Sequence, residues 1–186
     1  MKIKSIVMLC KKRNYAVLVM SENGTQWLGD SCALYPLYEA PIYDQTSLCA
    51  AYDITENQSD KIIFQTSDEK SIPLCIKDDD PTETAIGEYS VTVGYKGKDY
   101  AVFSTLDGAL FLNRKYLTPF KDMDGAEIYL RYSESGQAYF AVKFGFMLYG
   151  VIMPDYIADE MLCENLKSLS TQCGYALSKK ESKESD

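Results

Sequence analysis

The sequence predicts an α+β fold, strand-rich, with mainly antiparallel sheet or sheets from two diverged tandem repeats and a C-terminal amphipathic helix. Three observations predict it. Short apolar, β-branched runs alternate with turn signals along most of the 186 residues. Two stretches match in series. Residues 11–18 (KKRNYAVL) align with 96–103 (KGKDYAVF) at an offset of 85, Asn23-Gly24 with Asp107-Gly108 at 84, and Tyr35-Pro36 with Thr118-Pro119 at 83. Beyond Pro154, Ile157, Met161, Leu162, Leu166 and Leu169 recur at helical spacing.

The first repeat unit is read as residues 1–77. Residues 5–13 admit two readings. Ser5 caps a helix whose face carries Ile6, Leu9 and Cys10, or the stretch is a strand, as the repeat alignment argues. Residues 15–20 read as a strand, Glu22-Asn23-Gly24 as a hairpin turn and 25–28 as the returning strand. Residues 45–52 suggest a short helix capped by Asp44. Residues 78–86, opening Asp78-Asp79-Asp80-Pro81, read as a solvated acidic linker. The second unit spans 87–154. Val91, Val93 and Tyr95 alternate, 96–99 turn, 100–105 return, Asp107-Gly108 turn again into 109–112, and 126–132 with 138–142 form a hairpin across 133–136. Residues 144–153 read as a further strand. The C-terminal helix is placed at 155–174, packed on a sheet and stopped by Gly174, and 178–186 as a disordered, charged tail.

Composition narrows the chemistry. Apolar residues make up 46%, enough for a globular core. With 19 Lys plus Arg against 27 Asp plus Glu, the net charge of −8 opposes wholesale nucleic-acid binding and favours basic protein surfaces. No histidine is present, which removes the commonest general base and every Ser-His or Cys-His pair. Six cysteines stand without a CxxC pair, and no secretion signal or membrane-length apolar run is read, so reduced cysteines and a cytoplasmic location are expected. Asp78-Asp79-Asp80 offers carboxylates for a cation but lacks the spacing of a calcium loop. Asp30, Glu39, Asp124 and Glu127 with Lys143 satisfy a nuclease inventory on paper, without diagnostic spacing. Lys11, Lys12 and Arg13 with Tyr15, and Arg114 and Lys115 with Tyr116, are the local basic-aromatic groups. Tyrosine is frequent, 15 residues, and Tyr129, Tyr132, Tyr139 and Tyr149 fit core or half-buried strand positions. No catalytic residue, cofactor or metal ligand is assigned.

The stretches IVMLCKKR (6–13), TQWLGD (25–30), ALYPL (33–37) and NRKYLTPF (113–120) resemble a family of small proteins from gut Firmicutes and their prophages. In size and acidity that family is similar to broad-spectrum type II-A anti-CRISPR proteins. The resemblance implies a non-catalytic inhibitor that binds the RNA-guided DNA nuclease of type II CRISPR systems, free or guide-loaded, and blocks DNA cleavage. It supplies no contact residues. Residue chemistry nominates Trp27, Tyr35, Tyr38 and Tyr116 as partner anchors and Asp78, Asp79, Asp80 and Glu83 as the charged patch. The alternatives are another phage or mobile-element interaction module, or an enzyme with an unrecognised carboxylate site.

Overall fold

The computed structural model describes the backbone of residues 1–106, 108–157 and 159–184, with side chains within these ranges to residue 177. The chain divides into two units, Met1–Asp155 and Tyr156–Asp186. The first opens with α1 (Ile3–Arg13), followed by β1 (Tyr15–Met20), β2 (Gln26–Gly29) and β3 (Ala33–Pro36). Two short helices, α2 (Gln45–Ala51) and α3 (Glu56–Ser59), lead to β4 (Ile63–Asp68). Then come β5 (Thr84–Ala85), β6 (Gly87–Tyr95), β7 (Lys98–Thr105), β8 (Gly108–Asn113), a 3-10 segment (Arg114–Phe120), β9 (Glu127–Tyr132), β10 (Ala138–Phe144) and β11 (Met147–Ile152). The α+β, mainly antiparallel class with a C-terminal helix is what the sequence predicts.

Eight strands form one sheet in the order β4-β1-β2-β3-β11-β10-β9-β5, and β6-β7-β8 form a second. Among the described residues only β1 and β4 pair in parallel; the other ladders are antiparallel. The large sheet is buried on both faces, so its central strands read as near-continuous apolar runs. Ala16, Leu18, Leu28, Tyr35, Phe140, Val142 and Ile152 face one core, with α1, Leu48 of α2, Phe103 and Leu112 of the small sheet, and Tyr116 and Phe120 packed on them. The alternate residues Val17, Val19, Trp27, Leu34, Tyr139, Ala141 and Val151 face a second core, closed by Ile72, Leu74 and Ile76.

The helical reading of the first segment is the one adopted, but Lys2, not Ser5, occupies the N-cap and offers no side-chain cap. Helix α1 ends where Asn14 takes the left-handed conformation (φ 53°). Asp44 caps α2 in a capping box with Ser47, as its spacing predicts. At Gly29 a Cβ would lie 1.8 Å from the Ala33 carbonyl oxygen, so the tight β2-β3 connection admits only glycine there. Lys96 and Gly97, both at positive φ, close the two-residue β6-β7 hairpin.

Several expectations are corrected. The run 144–153 is split by a turn at Gly145 (φ 60°), so Phe144 ends β10 and β11 begins at Met147. The aligned repeats share a hairpin, β1-β2 against β7-β8, but not its surroundings. A helix precedes β1 and a strand precedes β7, and the two hairpins lie in different sheets. No domain boundary falls at 78–86, because these residues are held against the large sheet within the single unit Met1–Asp155. The C-terminal helix α4 spans Glu160–Glu184, starting after Asp155, which instead bridges to Phe111. Gly174 lies inside it, since an interior glycine costs only about 1 kcal/mol relative to alanine. Met161, Leu169, Tyr175 and Leu177 of α4 are exposed. The tail expected over 178–186 carries helical backbone to Glu184; its side chains and residues 185–186 lie outside the described residues.

Candidate functional site

Residues 69–83 run from β4, one edge of the large sheet, to β5, the opposite edge. Seven inter-strand spacings amount to about 34 Å, well within the reach of fifteen extended residues. This strap lays Ile72, Leu74 and Ile76 on the second core. Its polar attachment rests largely on two buried charged residues, Arg131 of β9 and Lys143 of β10.

Arg131 is wholly buried. Its Nε donates to Glu83 Oε2 (2.8 Å), Nη1 to the Lys77 and Cys75 carbonyls (2.8 and 3.4 Å), and Nη2 to the Asp78 carbonyl (2.8 Å) and Glu83 Oε2 (2.5 Å). All five guanidinium N–H groups thus have acceptors, three of them strap carbonyls. Lys143 Nζ donates to Glu83 Oε1 (2.9 Å) and the Asp78 carbonyl (3.0 Å). Tyr139 donates to Asp80 Oδ2 (3.1 Å), and the Leu148 amide donates to Asp78 Oδ1 (2.7 Å). Burial works to raise the Glu83 carboxyl, but hydrogen bonds and charge from Lys143 and Arg131 outweigh it and hold it below the ordinary range. Burial likewise opposes ionisation of Asp80, and bonds from Thr82 and Tyr139 with the Arg131 charge again win, leaving it lowered.

Two clefts open beside the strap. One, of about 560 Å³, is lined by Glu22, Trp27, Tyr38, Ile76, Asp78 and Asp79, among others. The second, of about 750 Å³, includes Cys75, Asp80, Tyr132 and Glu134. Lys77 lies on the boundary of both, paired with Glu22 (3.3 Å) and Glu69 (3.8 Å). The Asp79 carboxylate and Asp78 Oδ2 have no partner among the described residues. Beside Asp78, the β10-β11 turn projects Phe146, 90% exposed, and Met147, 45% exposed. The Tyr38 hydroxyl donates to the Leu148 carbonyl (2.9 Å), and burial, the Asp78 charge and Tyr149 push its pKa up to about 12.

The structure therefore gathers Trp27, Tyr38, Asp78 and Asp79 at one cleft and puts Asp80 at its neighbour. Glu83 is spent on Arg131 and Lys143 and is not a free surface charge. Trp27 (2% exposed), Tyr35 (1%) and Tyr116 (1%) are core residues, because their rings fill the two faces of the sheet; as anchors for a partner they are corrected. Tyr35 donates to the Tyr116 carbonyl (2.8 Å) and Tyr116 to Asp30 Oδ2 (3.0 Å), both on the face away from the strap. The exposed ring beside the cleft is instead that of Phe146. Its signal in the sequence is a large apolar residue directly after a turn glycine. Arg131 was also missed, and Lys143 was read only beside the carboxylates of a nuclease inventory; their signal is charge next to apolar strand residues, which burial permits only with full pairing.

Catalytic alternatives do not assemble. Asp30 lies on the face opposite Lys143, its Oδ1 taken by the amides of Cys32 and Ala33 (2.7 and 3.0 Å). The carboxylates of the Asp78-Asp79-Asp80 run diverge, bonded to Leu148, unpaired, and bonded to Thr82 and Tyr139 respectively. Among the described residues, no group of three or more His, Cys, Asp or Glu is arranged to hold a metal ion. Burial raises the thiol pKa of Cys75, the cysteine lining the larger cleft, which disfavours the nucleophilic thiolate. No helix among the described residues is long and apolar enough to cross a membrane. No family model matches the chain, and no curated protein or solved structure matches it either.

Proposed function

We propose that this chain is a non-catalytic binding protein that presents the acidic strap cleft and the Phe146 turn to a basic protein surface. The partner is the RNA-guided DNA nuclease of type II CRISPR systems, whose cleavage it blocks in the bacterial cytoplasm. The observation that carries the reading is the free Asp79 carboxylate beside the free Oδ2 of Asp78, whose Oδ1 is fixed by the Leu148 amide, on a strap that the buried Arg131 clamps to the sheet. A rigid acidic group of this kind receives a lysine or arginine with little ordering cost. Such nucleases hold their nucleic acids in strongly basic channels, which supply those side chains. Exposed ion pairs contribute only about 0.2–1 kcal/mol each, so the carboxylates set approach rate and register, and Phe146 with Met147 supplies dwell time. The resemblance to small prophage proteins points to the same partner.

The test is a pull-down of purified type II effector nucleases, with and without guide RNA, followed by a DNA cleavage assay. The reading expects a near-equimolar complex with loss of cleavage, weakened as salt rises. Absence of binding to several such nucleases at low salt overturns it.

A further inference from the structure

The charges of this acidic chain are sharply segregated. Residues 1–21 contain Lys2, Lys4, Lys11, Lys12 and Arg13 and no Asp or Glu; residues 108–121 contain Arg114, Lys115 and Lys121 and again no acid. The fold brings these two stretches together. Helix α1 packs against the 3-10 segment, and the Lys2 amide donates to the Pro119 carbonyl (2.9 Å). Some of the cations are neutralised: Lys2 pairs with Asp122, Arg114 with Glu88 (2.7 Å), and Arg13 lies 3.8 Å from Asp30. Lys4, Lys11, Lys12, Lys115 and Lys121 form no ion pair among the described residues, although Asp122 adjoins Lys121 and the Asp30 charge reaches Lys115. On α1, Lys4, Lys11 and Lys12 share the solvent stripe opposite the buried Ile6, Val7, Leu9 and Cys10.

Helix stability does not account for this arrangement. Cations in the last turn suit the helix dipole, but Lys2 and Lys4 sit at the N-terminal end, where it disfavours them, and neither an acid nor a side-chain cap is present there. Lys115 is also held where burial and the nearby Arg13 charge both disfavour its ammonium form.

We infer that the face formed by α1 and residues 114–121 binds the phosphate backbone of nucleic acid, without reading its sequence. The net charge of −8 does not forbid it. The strap carboxylates lie on the other side of the large sheet, roughly two 10 Å layers away. At physiological salt, fields between exposed charges are screened over about 8 Å, so each face acts by its local charge. The face offers no exposed aromatic platform, since Tyr116 is buried and the Tyr15 hydroxyl is bonded to Gln65 (2.5 Å). Backbone contact, with little preference among bases, follows.

The experiment is fluorescence anisotropy of the full chain with a short labelled single-stranded RNA and, separately, a DNA duplex of mixed sequence. Five phosphate contacts give a log–log salt slope of about −3.5 on the single strand and about −4.5 on the duplex, a loss of at least a hundredfold between 50 and 200 mM salt. The lower Kd at 50 mM salt distinguishes duplex from single strand as the better ligand, and each slope counts the phosphates contacted. Lys11→Glu with Lys12→Glu and Lys121→Glu is expected to weaken binding at least tenfold with an unchanged circular dichroism spectrum. The milder Lys11→Gln, Lys12→Gln, Lys121→Gln variant serves if the reversal disturbs folding, and it is expected to weaken binding less but measurably. No binding of either nucleic acid at 50 mM salt, affinity unchanged in both variants, or binding of anionic lipid vesicles in place of nucleic acid overturns the inference.

Discussion

Arg131 shows how one residue decides the placement of fifteen. A buried guanidinium is tolerable only when its donors are satisfied, and here three of its acceptors are strap carbonyls. Arg131→Ala removes the donor of Glu83 Oε2 and of the Lys77 carbonyl, and leaves Glu83 Oε1 and the Asp78 carbonyl to Lys143 alone. The expected loss is about 3–5 kcal/mol, read as a fall in urea midpoint. Arg131→Lys recovers little of it, because an ammonium cannot reproduce the planar, five-donor fork. Such residues were legible in the sequence only as anomalies. RYS at 131–133 and VKF at 142–144 each carry a charge within an apolar strand, but the partner of each is some fifty to sixty positions away and leaves no local trace. The anchor tyrosines failed for a related reason. Frequency marks tyrosine as an interface residue, but alternation along a doubly buried sheet puts Tyr35 in the core, as it does Tyr139, for which a core or half-buried place is expected.

At the scale of elements, hairpins were the legible part. Their turns are local, and Asn23-Gly24, Lys96-Gly97 and Gly136 announce them by residue type. The Asp44 cap of α2 was legible on the same ground. The strap was not. Its composition, with consecutive aspartates and a proline, is that of a linker, and only tertiary pairing makes it a structural layer. That pairing has a pH signature. Glu83 and Asp80 are both depressed in the folded state, so their contribution is present above the ordinary values of 4.5 and 3.8 and is lost as pH falls through the lowered ones. Protection of the amides of residues 72–80, taken relative to their intrinsic exchange rates, is therefore expected to hold at pH 7 and to fall below about pH 4, ahead of the central strands β1 and β10. Exchange of the strap and those strands accelerating together would show that the strap is not separately latched.

Over the whole molecule, the duplication seen in the sequence and the symmetry seen in the sheet are different things. The meanders β1-β2-β3 and β9-β10-β11 meet through the β3-β11 ladder, flanked by β4 and β5, whereas the aligned segments are β1-β2 and β7-β8. The charge organisation, too, is visible only once the chain is folded. An overall −8 resolves into a carboxylate cleft on one side of the large sheet and an uncompensated cationic stripe on the other. The central claim is that the strap cleft and the Phe146 turn form the docking face. It is tested most directly by calorimetric titration of guide-loaded type II effector nuclease with three proteins: wild type, Asp78→Asn (which keeps the acceptor for the Leu148 amide) with Asp79→Lys, and Phe146→Ala. All of the altered side chains lie at the surface, and the account predicts at least tenfold weaker binding for each variant with melting temperatures within a few degrees of wild type. Wild-type affinity in both variants would contradict it.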